Sequence, residues 1–258
     1  MLTLMYPNLF GIPDSSYVIM IGLGIIACFV LIAVYLKTRG FDRNKIIDVL
    51  LCACSAIAAG VIGAILTQNF YDLIAHPETY KWTWGMTFYG GLIFGVVEFL
   101  LVYLLVIQKR GGIDIKYILI IAPAAITLAH AFGRIGCFLA GCCYGMETDL
   151  WFGLPCSFID EANRVPTQLF ESIFLFILSS GLSFAAFKYN FKYTMIVYMG
   201  AYSLFRFVIE FFRDDYRGGT LLGMSPSQVV CVIILALIVP TVIIFNKYVF
   251  KGSLENEK

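Results

Sequence analysis

Apolar residues fill long blocks of this chain, and only short polar stretches separate them. The block "SSYVIMIGLGIIACFVLIAVYL" carries no charged side chain at all. A helix needs about 20 such residues to cross a hydrocarbon layer ~30 Å thick. Seven stretches meet that length: 16–36, 46–68, 84–107, 117–140, 167–187, 193–213 and 226–248. The pattern therefore predicts an all-α, polytopic integral membrane protein, a single membrane domain over 1–258. Its fourth to sixth spans are less purely apolar than the others. A short excursion outside the membrane is expected at about 141–166.

Basic residues then set a direction, because cytoplasmic loops carry an excess of Lys and Arg. Lys37, Arg39, Arg43 and Lys45 crowd the first connection, Lys109, Arg110 and Lys116 the third, and Lys188 and Lys192 the fifth. Lys247, Lys251 and Lys258 lie in the tail, whereas the alternate connections hold Lys81, Arg164 and Arg217, with Arg213 at a span edge. The N-terminus is expected outside and the C-terminus in the cytoplasm. The opening "MLTLMYPNLFGIPDS" lacks a basic n-region, so no cleavable signal peptide is expected.

That direction gives each polar position a depth. Tyr17 opens the first span, Gln68 and Asn69 are expected to end the second, and Tyr89 lies in the outer part of the third. Arg134 closes the fourth span, and Gln168 and Glu171 open the fifth. Arg206, Glu210 and Arg213 share the outer half of the sixth, and Ser225 and Gln228 cap the seventh. These polar side chains gather in the outer leaflet, whereas a proton relay would string them across the membrane. Glu98 lies deeper, and is assigned a helix–helix hydrogen bond.

Composition agrees with this reading. Hydrophobic residues make up 60% of the chain and charged ones 14%, where a soluble domain has about a quarter charged. A net charge of +1 with no basic run argues against nucleic-acid binding. Of the eight cysteines, Cys28, Cys52, Cys54 and Cys231 fall in apolar blocks, where a thiol acts as a small hydrophobe.

The candidate chemistry lies in two stretches. In "RFVIEFFR", Arg206, Glu210 and Arg213 stand at i, i+4 and i+7, on one helical face. They form either a self-neutralising ladder or part of a site. In "HAFGRIGCFLAGCCYG", His130 and Arg134 are one turn apart, and the arginine either snorkels to the headgroups or meets an anion. Two guanidinium groups from separate helices at headgroup depth suit a lipid phosphate, which they bind in bidentate fashion without losing a proton. Gly91 and Gly95 have the small-xxx-small spacing of close helix packing. Tyr89 beside them is either a belt anchor or a site residue.

These blocks together resemble the phosphatidylglycerol–prolipoprotein diacylglyceryl transferases, along nearly the whole chain. "IPDSSYVIMIGLG" resembles the family's first-helix opening, with Tyr17 at its tyrosine, and "FYGGLIFG" its H-G-G-L-I-G block. "GRIGCF" resembles the signature G-R-x-G-N-F, and "TDLWFGLP" the stretch after it. "RVPTQLFES" resembles H-P-S-Q-L-Y-E, "YSLFRFVIEFFR" the Y-x-x-x-R-F-x-x-E-x-x-R helix, and "GMSPSQ" the start of the last helix. The resemblance implies a multi-pass enzyme of the bacterial cytoplasmic membrane, without metal or organic cofactor. It would move a diacylglyceryl group from phosphatidylglycerol to the lipobox cysteine of a prolipoprotein. Arg134 and Arg206 match the family's essential arginines, Glu210 its helix-six glutamate, Tyr202 its tyrosine and Gly145 its post-signature glycine. Arg134, Arg206, Tyr89, His130 and Glu210 are the candidate catalytic residues. Tyr17, Gly90, Gly91, Cys137, Gly145, Gln168, Glu171 and Tyr202 are the candidate substrate contacts.

The departures are specific. Tyr89 stands at the family's histidine, Cys137 at its asparagine, and Ala140 and Cys142 at a later asparagine and glutamate. A phenol with a pKa near 10 is a weak base, which leaves His130, Glu210 or an arginine-stabilised tyrosinate to take the thiol proton. The changes also leave open a glyceryl-lipid transferase with a different acceptor, or a phospholipid-binding or transport protein without catalysis. For Cys137, Cys142, Cys143 and Cys156 four readings stand: small packing residues or thiols, a disulfide from Cys142 or Cys143 to Cys156, a metal site of Cys137, Cys142 and Cys143 with His130, and a covalent Cys137 nucleophile. C-x4-C-C matches no strong zinc pattern.

Overall fold

The computed structural model describes residues 15–155, 162–214 and 223–249. Among them seven helices are long and apolar enough to cross a membrane, and the protein is a multi-pass membrane protein. These are α1 (Ser15–Thr38), α2 (Arg43–Ala75), α3 (Phe88–Val102), α4 (Ile115–Leu139), α5 (Thr167–Tyr189), α6 (Thr194–Ile209) and α7 (Pro226–Ile244). A π turn and a 3-10 turn carry α3 on to Arg110, a 3-10 turn over Glu210–Phe212 closes α6, and a π turn over Phe245–Val249 follows α7. The chain divides into two compact units, Met1–Ile32 with Ile118–Lys258, and Ala33–Tyr117.

In the Ala33–Tyr117 unit, α2 and α3 pack through glycines. A Cβ on Gly91 would stand 3.1 Å from the Gly60 carbonyl, and one on Gly90 would stand 2.3 Å from the Thr67 hydroxyl. Side chains at these positions would push the helices apart. Asp42 starts α2 by accepting a hydrogen bond from the Asn44 N–H at 3.1 Å, which satisfies one of the donors a helix start leaves over.

The second helix does not stop at Gln68 and Asn69, as the polar pair had implied, but runs to Ala75. Asn69 is only 4% exposed, and its carboxamide is fully engaged. It donates to the carbonyls of Ile65 (2.9 Å) and Thr83 (2.8 Å), and accepts from the Tyr80 hydroxyl (3.1 Å) and the Thr83 N–H (2.9 Å). The asparagine thus clips the segment after α2 back onto the helix instead of ending it. The third helix accordingly begins at Phe88, not 84. Glu98 Oε2 has no hydrogen-bond partner among the described residues, so this oxygen makes no helix–helix bond of the kind expected.

In the other unit, hydroxyl groups join α4 to its neighbours. Ser172 and Ser179 of α5 donate to the carbonyls of Ala131 (3.0 Å) and Ala124 (2.8 Å). Pro123 lies inside α4 and has no N–H for the carbonyl four residues back. That carbonyl, of Leu119, lies 3.4 Å from the Thr194 hydroxyl of α6, which also donates to Ile120 at 2.8 Å. Polar backbone in a membrane needs such replacements. On the α1 side, a Cβ at Gly24 would come within 2.8 Å of the Ala129 carbonyl, and one at Gly136 within 3.1 Å of the Tyr17 ring.

Between α4 and α5 the strands β1 (Leu154–Pro155) and β2 (Asn163–Arg164) pair antiparallel. Gly145 bridges to Arg213. Its N–H donates to the Val165 carbonyl at 3.1 Å, while the Met146 N–H donates to Phe212 at 2.9 Å. This pairing corrects the expected three-residue helical face. Arg213 leaves the helix in an extended conformation (φ −96°, ψ 150°), because its backbone is drawn to the segment after α4.

Candidate active site

Four helix ends meet in one place: the ends of α4 and α6 and the starts of α5 and α7. At the centre lies Glu171, one turn into α5, with no exposed surface. Arg134 Nη2 contacts its Oε1 at 2.9 Å, and Arg206 Nη1 lies 3.7 Å from its Oε2. Tyr202 donates its phenol hydrogen to Oε1 at 2.8 Å. His130 Nε2 lies 3.8 Å from the same oxygen, and the imidazole packs edge-on to the Tyr202 ring at 5.1 Å.

A second carboxylate adjoins the first. Arg206 Nη2 pairs with Glu210 Oε2, one helical turn along, and donates to the Ser227 hydroxyl at 3.2 Å. Arg213 Nε lies 3.9 Å from Glu210 Oε2. The Ser225 hydroxyl donates to Glu210 Oε1 at 2.9 Å. It also accepts from the Gln228 N–H, completing the capping box expected at the start of α7.

Three guanidinium groups against two carboxylates leave a positive excess in a buried place. Moreover, Arg134 Nε, Arg206 Nη1 and Glu171 Oε2 are buried with no hydrogen-bond partner among the described residues. A buried donor left unused costs about 1–3 kcal/mol, and more when charged. Such atoms recur where a ligand completes the set. An anion between α4 and α6 would meet donors from both arginines.

The other expected residues fall into four groups. Tyr17 packs on α4 at Gly136. Gln168 is buried and donates to the Cys142 carbonyl at 2.6 Å, so it holds the turn after α4. Gly145 fills a gap in which a Cβ would stand 2.5 Å from the Val165 carbonyl. Tyr89, Gly90 and Gly91 lie on α3 in the other unit. There Tyr89 is 45% exposed, and Gly90 and Gly91 face α2.

Sequence reasoning missed two features. Glu171 stands among the candidate substrate contacts, yet it is the shared counter-ion of both arginines. Its place near the start of a span, close to Gln168 and Ser172, was the available signal. Arg164 had counted only as a loop charge. It is buried, donates to Asp214 (2.9 Å) and Glu147 (3.0 Å), and lies over the Tyr144 ring. It thereby fastens the segment between α4 and α5 to the end of α6. Of the groups that the metal reading joined, Cys137, Cys142 and Cys143 bring their sulfur atoms within 4.8 Å of one another, in a cluster that does not include His130. Hydrogen bonds from Cys137 and Cys142, together with the Arg213 guanidinium, hold the Cys143 thiol below its ordinary range. Cys156, the partner in the alternative disulfide reading, lies outside the described residues.

Fold and site together define a polytopic helical membrane protein with a buried arginine–carboxylate cluster suited to an anionic headgroup. The sequence model of the prolipoprotein diacylglyceryl transferase family matches residues 7–244, and the chain belongs to that family. It is 35% identical over 256 residues to phosphatidylglycerol–prolipoprotein diacylglyceryl transferase 2 of Clostridium perfringens, covering 96% of each chain. With the Clostridium tetani transferase it shares 33% identity over 248 residues, 93% of this chain and 95% of that one. The Campylobacter jejuni transferase is 31% identical over 263 residues, with 93% of each chain covered.

Proposed function

We propose that this protein transfers the diacylglyceryl group of phosphatidylglycerol to the cysteine thiol of a prolipoprotein, at the outer leaflet of the cytoplasmic membrane. Family membership supports the reaction, and the basic first, third and fifth connections support the orientation. The observation that carries the site assignment is the convergence of Arg134 and Arg206 on one carboxylate, each with a donor to spare.

In this mechanism the two arginines take the phosphodiester between α4 and α6. Glu171, steadied by Tyr202, keeps both guanidinium groups aimed at that place, and Glu210 holds Arg206 from the other side. Tyr17, Gln168 and Gly145 shape the headgroup site around them. A thiol of pKa ~8.5 is only a few per cent thiolate at neutral pH, so its proton must be taken up. His130 Nε2 accepts it, and the resulting imidazolium is stabilised by Glu171. The sulfur forms a bond to the glyceryl carbon as that carbon's bond to the phosphate oxygen breaks. Glycerol phosphate departs with a second negative charge, which Arg134 and Arg206 stabilise as it develops. For Tyr89 the support is its place in the family block.

The test uses purified protein, phosphatidylglycerol labelled in its headgroup glycerol, and a lipobox peptide. Labelled glycerol phosphate should appear in step with a peptide mass gain of one diacylglyceryl group. Saturable lipid binding without release would overturn the reading in favour of a binding protein. Release without peptide modification would point to another acceptor.

A further inference from the structure

We propose that Cys137, Cys142 and Cys143 form a binding site for one soft monovalent metal ion, copper(I). All three sulfur atoms lie within 4.8 Å of one another, and the group contains three thiols and no imidazole or carboxylate. Structural zinc calls for four ligands in a tetrahedron. Three thiolates instead suit a soft ion that accepts trigonal coordination.

The turn is built to hold this arrangement. Cys137 lies on the last turns of α4, and after Gly141 (φ 69°) the chain doubles back. The Cys142 N–H donates to the Cys137 carbonyl at 3.1 Å. Cys143 then takes a left-handed conformation (φ 64°), which is strained for a residue with a side chain. Two side chains from the start of α5 fix the result. Gln168 donates to the Cys142 carbonyl at 2.6 Å and Thr167 to the Cys143 carbonyl at 3.0 Å. The thiols are thus held together before any ion arrives, which lowers the ordering cost of binding.

Charge is also compensated. Three thiolates around copper(I) carry two net negative charges, their protons having passed to solvent. The Arg213 guanidinium lies close enough to Cys143 to act on its thiol, so part of that charge meets a fixed cation. The site rests on the thiols and their turn alone, and the inference stands whether or not the proposed transfer holds.

The experiment offers the reduced, full-length protein copper(I) as its coloured bicinchoninate complex, without oxygen. The protein should withdraw one copper per chain, and X-ray absorption should show three Cu–S bonds. Cys137→Ser, Cys142→Ser and Cys143→Ser should each weaken uptake by about 100-fold or more. Cys54→Ser, which removes an exposed thiol of the other unit, should leave it unchanged. Because Cys142 is exposed, Cys142→Ser should also keep the wild-type melting temperature, which separates a lost ligand from a lost fold. Copper left with the chelator, equal loss in Cys54→Ser, or tighter binding of zinc(II) than of copper(I) would each overturn the proposal.

Discussion

Two buried polar nodes, Asn69 in one unit and Glu171 in the other, solve the same problem differently. Both are side chains that an apolar helix has no local use for. Asn69 uses both amide hydrogens and accepts twice, so its carboxamide has no unmet demand. Glu171 accepts from Tyr202 and Arg134 through Oε1, yet its Oε2, Arg134 Nε and Arg206 Nη1 lack hydrogen bonds among the described residues. In a low-dielectric setting, leaving charged groups unsatisfied is costly. The completed node is therefore a structural clip, and the incomplete one is where a ligand gains most by binding.

Removing an arginine should break the contrast most sharply. Arg134→Ala and Arg206→Ala are each expected to slow glycerol phosphate release by about 10²–10³-fold, the usual effect of deleting a donor that stabilises developing charge. Arg134→Lys should recover little, since an ammonium cannot offer the same paired hydrogen bonds. A labelled-headgroup assay measures both.

Neutralising the centre comes next. Glu171→Gln keeps the shape but leaves two buried guanidinium groups without their shared counter-ion, a change that costs about 3–5 kcal/mol. Added phosphatidylglycerol should raise the melting temperature of this variant more than that of the wild type, because an anion that binds the folded state stabilises it. An equal rise in both proteins would mean that the lipid does not take over the role of the carboxylate. His130→Ala should slow transfer by about 10²-fold, within the range of general base catalysis. The base must be neutral to accept a proton, so the wild-type rate should fall as pH drops through its titration. In the variant that acid limb should flatten.

Asn69→Ala should reverse the pattern. It strips partners from the Thr83 backbone and the Tyr80 hydroxyl, and should cost about 2–3 kcal/mol of stability from the groups left unsatisfied. Release per folded chain should be unchanged. A loss of rate at full stability would mean that this clip, too, is functional.

The seven spans were legible because a membrane demands about 20 apolar residues in a row, and little else in a sequence does so. Arg134 and Arg206 were legible for the converse reason: a charge in such a run is expensive and needs a cause. What stayed hidden depends on which helices become neighbours. Glu171 is one polar residue among several at the start of α5, and its role as a shared counter-ion follows only once α4 and α6 both abut it. Asn69 looked like a helix end because its partners, Tyr80 and Thr83, lie in a segment with no periodicity to read. Arg213 looked helical because local spacing cannot foresee backbone pairing with Gly145. The thiol cluster was obscured for a similar reason, since C-x4-C-C becomes compact only when Gly141 and Cys143 adopt positive φ.

The smallest expected effect tests where the two kinds of node shade into each other. Ser225 does two jobs with one hydroxyl: it caps α7 by accepting from the Gln228 N–H, and it donates to Glu210 Oε1. Loss of an N-cap costs about 1 kcal/mol, so Ser225→Ala should lower the melting temperature by a few degrees. If the cap were its whole role, Ser225→Asp would restore stability and rate together, since aspartate also caps well. The second hydrogen bond predicts a split. Aspartate would restore the cap but place a carboxylate against Glu210, pulling that residue's guanidinium partners away from the phosphate place. Stability should therefore recover more than transfer, with the deficit appearing in KM for phosphatidylglycerol. Full recovery of both would assign Ser225 to the helix alone and leave Glu210 to position Arg206 without its help.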